Sequence, residues 1–426
     1  MADKQKIIFL IFLIFVSSVY GKTLFVCKTC QINSIKKALE IAEDKDTIVV
    51  KKGIYKEGEI VIKKQIKLIG EGYPVLDGEK KYQVITVKAH NVLIKGFVIQ
   101  NSGKSDIEDI AGVKFNRVKN GRIENCIIKN NFWGIYFAGC KNGVIKNNKV
   151  IGPAKLEYLK KAFGSTIETN FGNGIHLWHC KNMLVEGNYI KGHRDGIYFE
   201  FVKKSTIIRN TSEENLRYGL HFMFSHRDNY IGNIFRKNGA GVAVMYTKYV
   251  YMADNKFEYN WGGASYGLLL KEIYDSYIYH NIFYKNTTGI FADNTNRTII
   301  EENDFVENGW AIRIWANSQN NLIKHNNFIA NTFNVVTNSF QNPNKYTENY
   351  WSDYKGFDLN RDGFGDVPYR PVSIFGYLTE NYPQSVILIR SFLIYLLDLT
   401  ERMFPMLIPS KLIDNKPLMR PFKWLK

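Results

Sequence analysis

The stretch GIYFEFVKKSTIIRNTSEENLRY, residues 196–218, runs directly into GLHFMFSHRDNYIGNIFRKNGA, residues 219–240. The two align without a gap, Gly196–Asn210 on Gly219–Asn233. The same unit starts at Gly112, Gly134, Gly174, Gly241, Gly267, Gly289 and Ala311, mostly 22 or 23 residues apart. An insertion at about residues 152–172 and a smaller one near Trp261 interrupt the spacing. Looser copies precede the series, around 58–70 and 83–99. A period of this length in strand-forming residues marks a solenoid, whereas propeller blades need about 40 residues each. The first and third residues after each start are nearly always Val, Ile, Leu or Phe. That alternation is a strand with one buried face. The fourteenth residue is Asn148, Asn188, Asn210, Asn233, Asn255, Asn281 and Asn303, and stacked amides can hydrogen-bond from coil to coil. Each unit therefore predicts one coil, and the chain an all-β, right-handed parallel β-helix over about residues 46–345.

A solenoid exposes strand edges at both ends and needs covers. NSIKKALEIAE, residues 33–43, places Ile35, Leu39 and Ala42 on one helical face and predicts a capping helix within residues 22–45. At the other end, QSVILIRSFLIYLLDLTERMFP, residues 384–405, reads as an amphipathic helix within a segment 381–426. Arg390 and Asp398 make a membrane span costly there. Residues 384–426 suit the solenoid end, a membrane surface or a membrane subunit instead. Pro405 and Pro409 stop the helix, and the last residues, PLMRPFKWLK, are basic and aromatic.

The opening MADKQKIIFLIFLIFVSSVYG has a positive start and an apolar run, Ile7–Val16, too short to span comfortably. It predicts a secretory signal over residues 1–21, with an uncleaved anchor as the alternative. Export argues against nucleic acid as a partner despite a net charge of +17. It leaves an anionic membrane surface or an acidic partner. Cys27 and Cys30 form a C-x-x-C with no βαβ setting, so a local disulfide or plain thiols fit better than a redox or metal site.

The register also tells which residues leave the core. Positions two and four after each start point outward. Position two carries Tyr136, His176, Tyr198, His221 and Ala243, and position four carries Ala138, Trp178, Glu200, Met223 and Met245. His221 and Met223 are thus same-face neighbours, and Met245 lies beside Met223 one coil on, ~4.8 Å away. Glu200 and His176 lie on preceding coils, and His226 falls at the following corner. Thioether and imidazole together suit Cu(I), and neither favours Ca²⁺ or Mg²⁺. The alternative is an apolar patch covered by a partner or by the insertion.

The motifs RDGIYFE (194–200), RYGLHFMFS (217–225), AVMYTK (243–248), NYWSDYKGFDLNRDGFGDVPYRP (349–371) and KPLMRP (416–421) resemble the NosD family of β-helical accessory proteins for nitrous oxide reductase maturation. The resemblance covers roughly residues 170–421. It implies a periplasmic protein that works with an ABC transporter membrane subunit, a copper chaperone and nitrous oxide reductase to supply copper. It reaches His221, Met223 and Met245, but not His176 or His226, which rest on the register alone.

A second candidate site lies in the acidic loop region, residues 346–380. FDLNRDGFGD, residues 357–366, offers Asp358, Asn360, Asp362, the Phe364 carbonyl and Asp366 at positions one, three, five, seven and nine of a Ca²⁺ loop. Tyr369 stands where such a loop carries its Glu, so an ion-free Asx-turn network is the alternative. The rival class of function is a β-helical lyase, hydrolase or epimerase acting on acidic polysaccharide. That chemistry needs converging carboxylates. The outward acids are Glu200, Asp195 at the turn and the distant Asp293, which form no pair, so no enzyme is expected. A metal-free docking scaffold is the third possibility.

Overall fold

The computed structural model describes residues 21–105, 108–155, 171–339, 341, 343–404 and 412–422. The expected signal and most of the insertion lie outside them. Each coil contributes one short strand to each of three parallel sheets, of 14, 12 and 13 strands. One coil runs Asp195–Glu200, Thr206–Ile208 and Thr211–Glu213, and the next begins at Tyr218–Met223. Strands pair only with their counterparts one coil away, so the register is a ladder: Ile197 on Leu220, Phe199 on Phe222, Glu200 on Met223. The expected parallel solenoid is what forms. It starts earlier than residue 46, however, because Thr23–Val26 pairs in register with Thr47–Val50.

The core follows from the alternation. Inward residues such as Ile197, Phe199, Leu220 and Phe222 are fully buried. Phe257, Phe283, Phe305, Phe328 and Trp351 stack as one aromatic column with ring centroids 4.1–4.9 Å apart. Gly219 opens its strand because nothing larger fits: a Cβ there would lie 2.7 Å from both the Asn238 amide and the Gly241 carbonyl.

The asparagine ladder runs where it was expected. Each Nδ2 donates to the Oδ1 of the next coil, as in Asn188 to Asn210 (2.9 Å) and Asn210 to Asn233 (3.0 Å). It continues through Asn326 and Asn349 and ends on Asp414, which accepts from the Asn349 backbone (3.0 Å) and from Trp351 Nε1 (3.1 Å). A second ladder, unforeseen from the sequence, joins Asn215 to Asn238 and Asn260 through Asn286 to Asn308 and Asn331. These amides satisfy backbone groups at the coil corners that burial would otherwise leave unpaired.

The N-terminal cap, α1 (Ile35–Ile41), covers the first coil. The Glu57 carboxylate accepts from Ser34 Oγ (2.7 Å), Ile35 N (2.8 Å) and Lys36 N (3.0 Å), which satisfies the free amides of the helix start and places negative charge there. Its buried face is Ile35, Ala38 and Ala42, with Leu39 half-buried rather than central. Cys27 and Cys30 are joined by a disulfide.

The single C-terminal helix expected over 384–405 is broken. After α2 (Ile374–Asn381), Pro383–Leu388 forms a 3₁₀ helix, and α3 spans Phe392–Met403. Arg390 adopts φ +65° between them, and Ser391 caps α3. Ile394 packs against Phe333, Val336 and Phe375, while Phe392, Leu393, Tyr395 and Met403 remain exposed. Among the described residues no helix is long and apolar enough to cross a membrane.

Candidate copper site

The site is built on the outer face of the 12-stranded sheet. Position two of successive coils forms a column of rings: Tyr136, His176, Tyr198 and His221, with centroids 5.0, 4.7 and 4.8 Å apart. Trp133 flanks His176 at 4.6 Å, and Tyr218 flanks His221 at 4.8 Å. Position four forms the adjacent row: Trp178, Glu200, Met223, Met245 and Lys271 are successive register partners. The register thus brings His221, Met223 and Met245 together as read from sequence. Tyr198 touches both side chains, since its hydroxyl donates to Met223 Sδ (3.3 Å) and its ring lies against His221.

One expectation needs correction. The outer face is not water-exposed at position two: His221 is 5 % and His176 6 % exposed. The reason is the aromatic stacking, which seals each imidazole between neighbouring rings. Met223 and Met245 are half-buried, as are Tyr198 and Glu200 beside them.

The hydrogen-bond accounting at this spot is unusual. His221 Nδ1 lies 3.3 Å from Asp195 Oδ2, and its Nε2 is buried without a partner. Asp195 is fully buried and held by Arg217 through Nε–Oδ1 (2.9 Å) and Nη2–Oδ2 (2.5 Å). Burial opposes ionisation of Asp195, but the Arg217 charge and hydrogen bonds outweigh it and hold the carboxyl well below its ordinary range. His176 Nε2 and both ring nitrogens of His193 are likewise buried and unpartnered. Burial pushes His176 down to about 3 and His193 down to about 4, so both are neutral at pH 7. His193 takes the place of an asparagine in the second ladder, with its backbone N–H bonded to Asn215 Oδ1 (3.1 Å). Sequence reasoning missed Asp195, Arg217 and His193 as parts of this network; the three-residue offset of His193 before Gly196, matching Asn238 before Gly241, was the available signal.

The peripheral candidates separate. Glu200 sits in the row beside Met223. His176 lies two coils away, beyond Tyr198. His226 stands apart: it continues a corner column of Lys119, Lys141, Lys181 and Lys203, and its Nδ1 accepts from Lys248 N (3.2 Å). Neighbouring lysines disfavour a cation there. Among the described residues the corner has no counterpart to the cross-coil ion pairs found elsewhere, such as Lys146–Glu186 (2.9 Å) and Lys191–Glu214 (2.5 Å).

In the acidic loop, Asp358 and Asn360 accept from Asp362 N (3.2 and 3.1 Å), and Asp358 also accepts from Gly363 N (3.0 Å). Asp362 accepts from Phe364 N (2.9 Å), and Asp366 from Leu359 N (2.7 Å). Gly363 and Gly365 pair with the C-terminal segment through Met419 and Pro417. The loop is therefore held by an Asx-turn network and by Phe364 bridging to Leu418. Glu301, Glu302 and His325 bring ligand atoms within 4.8 Å of one another, but Glu301 is paired with Lys324 (2.8 Å) and His325 with Glu348 (2.6 Å).

The model of the NosD family, described as periplasmic copper-binding proteins, matches residues 39–171 and 165–356. The chain belongs to the NosD family. It is 29 % identical over 391 residues to a probable ABC transporter binding protein NosD of Pseudomonas aeruginosa, covering 85 % of this chain and 86 % of that one. The corresponding Stutzerimonas stutzeri NosD is 27 % identical over 384 residues, with 85 % of each chain covered. Among solved structures, the catalytic unit of a GH87 α-1,3-glucanase from Streptomyces thermodiastaticus aligns with TM-score 0.59 at 10 % identity, over 76 % of this chain and 66 % of that one. The Streptococcus pneumoniae surface adhesin PfbA aligns with TM-score 0.51 at 12 % identity, over 76 % and 91 %. At such identities these two show the fold alone. The NosD assignment agrees with the resemblance carried by the sequence motifs.

Proposed function

We propose that this NosD protein binds Cu(I) through His221, Met223 and Met245 and passes it on. It would act in the periplasm, with an ABC transporter and a copper chaperone, in assembly of the copper centres of nitrous oxide reductase. One observation carries the reading: a buried imidazole with an unpartnered Nε2 lies two residues before a half-buried thioether on the same strand face, and that thioether is in register with a second on the next coil. A buried polar atom without a partner costs about 1–3 kcal/mol, and soft donors beside it match Cu(I). Three ligands on a sheet face hold an ion without enclosing it, so a donor or acceptor protein can approach the open thioether side. Glu200 borders the site, and His176 and His226 do not complete it.

The enzyme reading is weaker on the same face. Asp195 is consumed by Arg217, and Glu200 has Trp178 and Met223 as register neighbours rather than a second carboxylate. The apolar side of α3 supplies a surface for the transporter's membrane subunit or the bilayer. A Ca²⁺ ion at the acidic loop is a secondary, structural proposal, tested by whether chelator lowers the melting temperature of wild type but not of Asp362→Ala.

The primary test is a competition titration against a Cu(I) chelator under reducing, anaerobic conditions. Met223→Ala/Met245→Ala should bind substantially more weakly than wild type. Equal affinities would remove the site. Incubation with polyuronates, with no product formed, is the expected outcome against the enzyme reading.

A further inference from the structure

Asp195 is an outlier in this solenoid. It stands at the first position of its strand, fully buried, where the next coils carry Tyr218 and Ala240 in register. Arg217 holds it through two hydrogen bonds, and Asp195 Oδ1 also lies 3.4 Å from Tyr218 N. An Asp–Arg pair needs no histidine to be complete, yet Oδ2 also faces His221 Nδ1 at 3.3 Å. Arg217 Nη2 is 3.4 Å from the same nitrogen.

Which ring nitrogen of His221 carries the proton follows from this surrounding. If Nδ1 were bare, its lone pair would oppose a carboxylate oxygen inside a dry site, a repulsive contact that low dielectric magnifies. With the proton on Nδ1, the imidazole donates to Asp195 and the contact is attractive. Arg217 Nη2 has a second N–H that lies 3.4 Å from Nδ1, but its first is already committed to Asp195 and the carboxylate oxygen is the nearer group at 3.3 Å. The proton on Nδ1 leaves the buried Nε2 as a lone pair with no donor near it. A lone pair in that state is a ligand atom awaiting a cation.

We infer that Asp195, anchored by Arg217, acts as a positioning residue that holds His221 in the Nδ1–H tautomer and thereby presents Nε2 to Cu(I). The inference rests on the copper reading above and assigns to it two residues that touch no metal. Carboxylates that orient a ligating histidine in this way raise ligand basicity, and their loss typically costs 10–100-fold in metal affinity. Arg217 serves two ends here. It pairs with the buried carboxyl group through two hydrogen bonds, and it fixes the carboxylate plane so that Oδ2 faces the imidazole. The geometry also explains why His176 is a poorer ligand. Its Nδ1 faces the Asn173 amide at 3.4 Å, a neutral group that sets no charge against either tautomer.

The test uses the full-length protein with ¹⁵N-labelled histidine. The copper-free wild type is examined by long-range ¹⁵N–¹H correlation, with the His221 signals assigned from His221→Gln. The expected result is His221 protonated on Nδ1 and bare at Nε2. Asp195→Asn keeps the shape but offers an amide N–H to Nδ1, so it should move the proton to Nε2 and weaken Cu(I) binding about 10–100-fold. Binding is measured at a temperature where circular dichroism shows the variant folded. A wild-type His221 protonated on Nε2 would overturn the inference without any variant, which keeps it testable if Asp195→Asn does not fold. A folded Asp195→Asn with unchanged tautomer and unchanged affinity would overturn it too. A purely structural role for Asp195 would lower the melting temperature and move neither readout. Failure of the copper reading looks different: Met223→Ala/Met245→Ala would then match wild type in affinity, whatever the tautomer.

Discussion

Two sets of buried polar side chains run along this solenoid, and they end in different hydrogen-bond states. In the ladder through Asn210, Asn233 and Asn255, every side chain is fully buried and bonded on both sides. In the group of His176, His193 and His221, which are also buried, ring nitrogens are left without partners. The ladder is a device for holding coils together. His176 and His221 gain ring stacking and single contacts to Asn173 and Asp195, but each histidine of the group keeps at least one buried ring nitrogen without a hydrogen-bond partner. The same repeat thus carries both a stabilising feature and a candidate site, distinguished by how their polar atoms are satisfied.

The largest expected effect tests the ladder. Asn233 Oδ1 accepts from Asn210 N (2.9 Å), and its Nδ2 donates to Ile207 O (3.0 Å) and Asn255 Oδ1 (3.0 Å). Asn233→Ala leaves these groups buried and unpaired, and about 3 kcal/mol should be lost in urea unfolding. The loss should be the same at pH 7 and pH 5, since amides do not titrate, and Cu(I) affinity should not change.

The histidine set should behave in the opposite way. His176 and His193 have folded values of about 3 and about 4, below the ordinary histidine value. The unfolded chain therefore binds protons first, so their contribution is present above pH ~6.5 and is lost as pH falls toward those folded values. Stability should begin to fall below pH ~6.5, before most carboxylates titrate. Asp195, depressed by Arg217, adds a further loss below about pH 4. His176→Gln/His193→Gln should flatten the limb between pH 6.5 and pH 4 in urea midpoints. An unchanged acid limb would break the contrast.

A smaller effect is expected at the lysine corner. Lys203 lies between Lys181 and His226, and like charges directly opposite are destabilising. Lys203→Glu should stabilise by about 0.5 kcal/mol at low salt and by less at 1 M salt. The smallest effect belongs to the proposed thioethers. Met223→Ala/Met245→Ala should change stability by no more than about 0.5 kcal/mol, as half-buried surface positions do, while removing most of the copper affinity.

The fold was legible because its signals are periodic. Alternating Ile197 and Phe199 and the in-register Asn148–Asn303 series each repeat in many coils, so a single misread residue changes nothing. The second ladder was missed because its offset slips: Asn215 stands four residues before Gly219, Asn238 three before Gly241, and a histidine, His193, substitutes in an earlier coil. The ligand candidates were readable as neighbours, since His221, Met223 and Met245 follow from register alone. Their burial was not, because it depends on ring stacking by Tyr198 and Tyr218 between coils. The role of Asp414 in closing the ladder was equally hidden, since that contact joins residues 65 positions apart.

The central claim is that Cu(I) sits on one imidazole and two thioethers. Copper K-edge X-ray absorption on the anaerobic, singly loaded wild-type protein tests it most directly. The expected result is a low-coordinate Cu(I) with two sulfur scatterers and one imidazole, and loss of the sulfur shell in Met223→Ala/Met245→Ala. A shell of nitrogen and oxygen alone, unchanged in that variant, would contradict it.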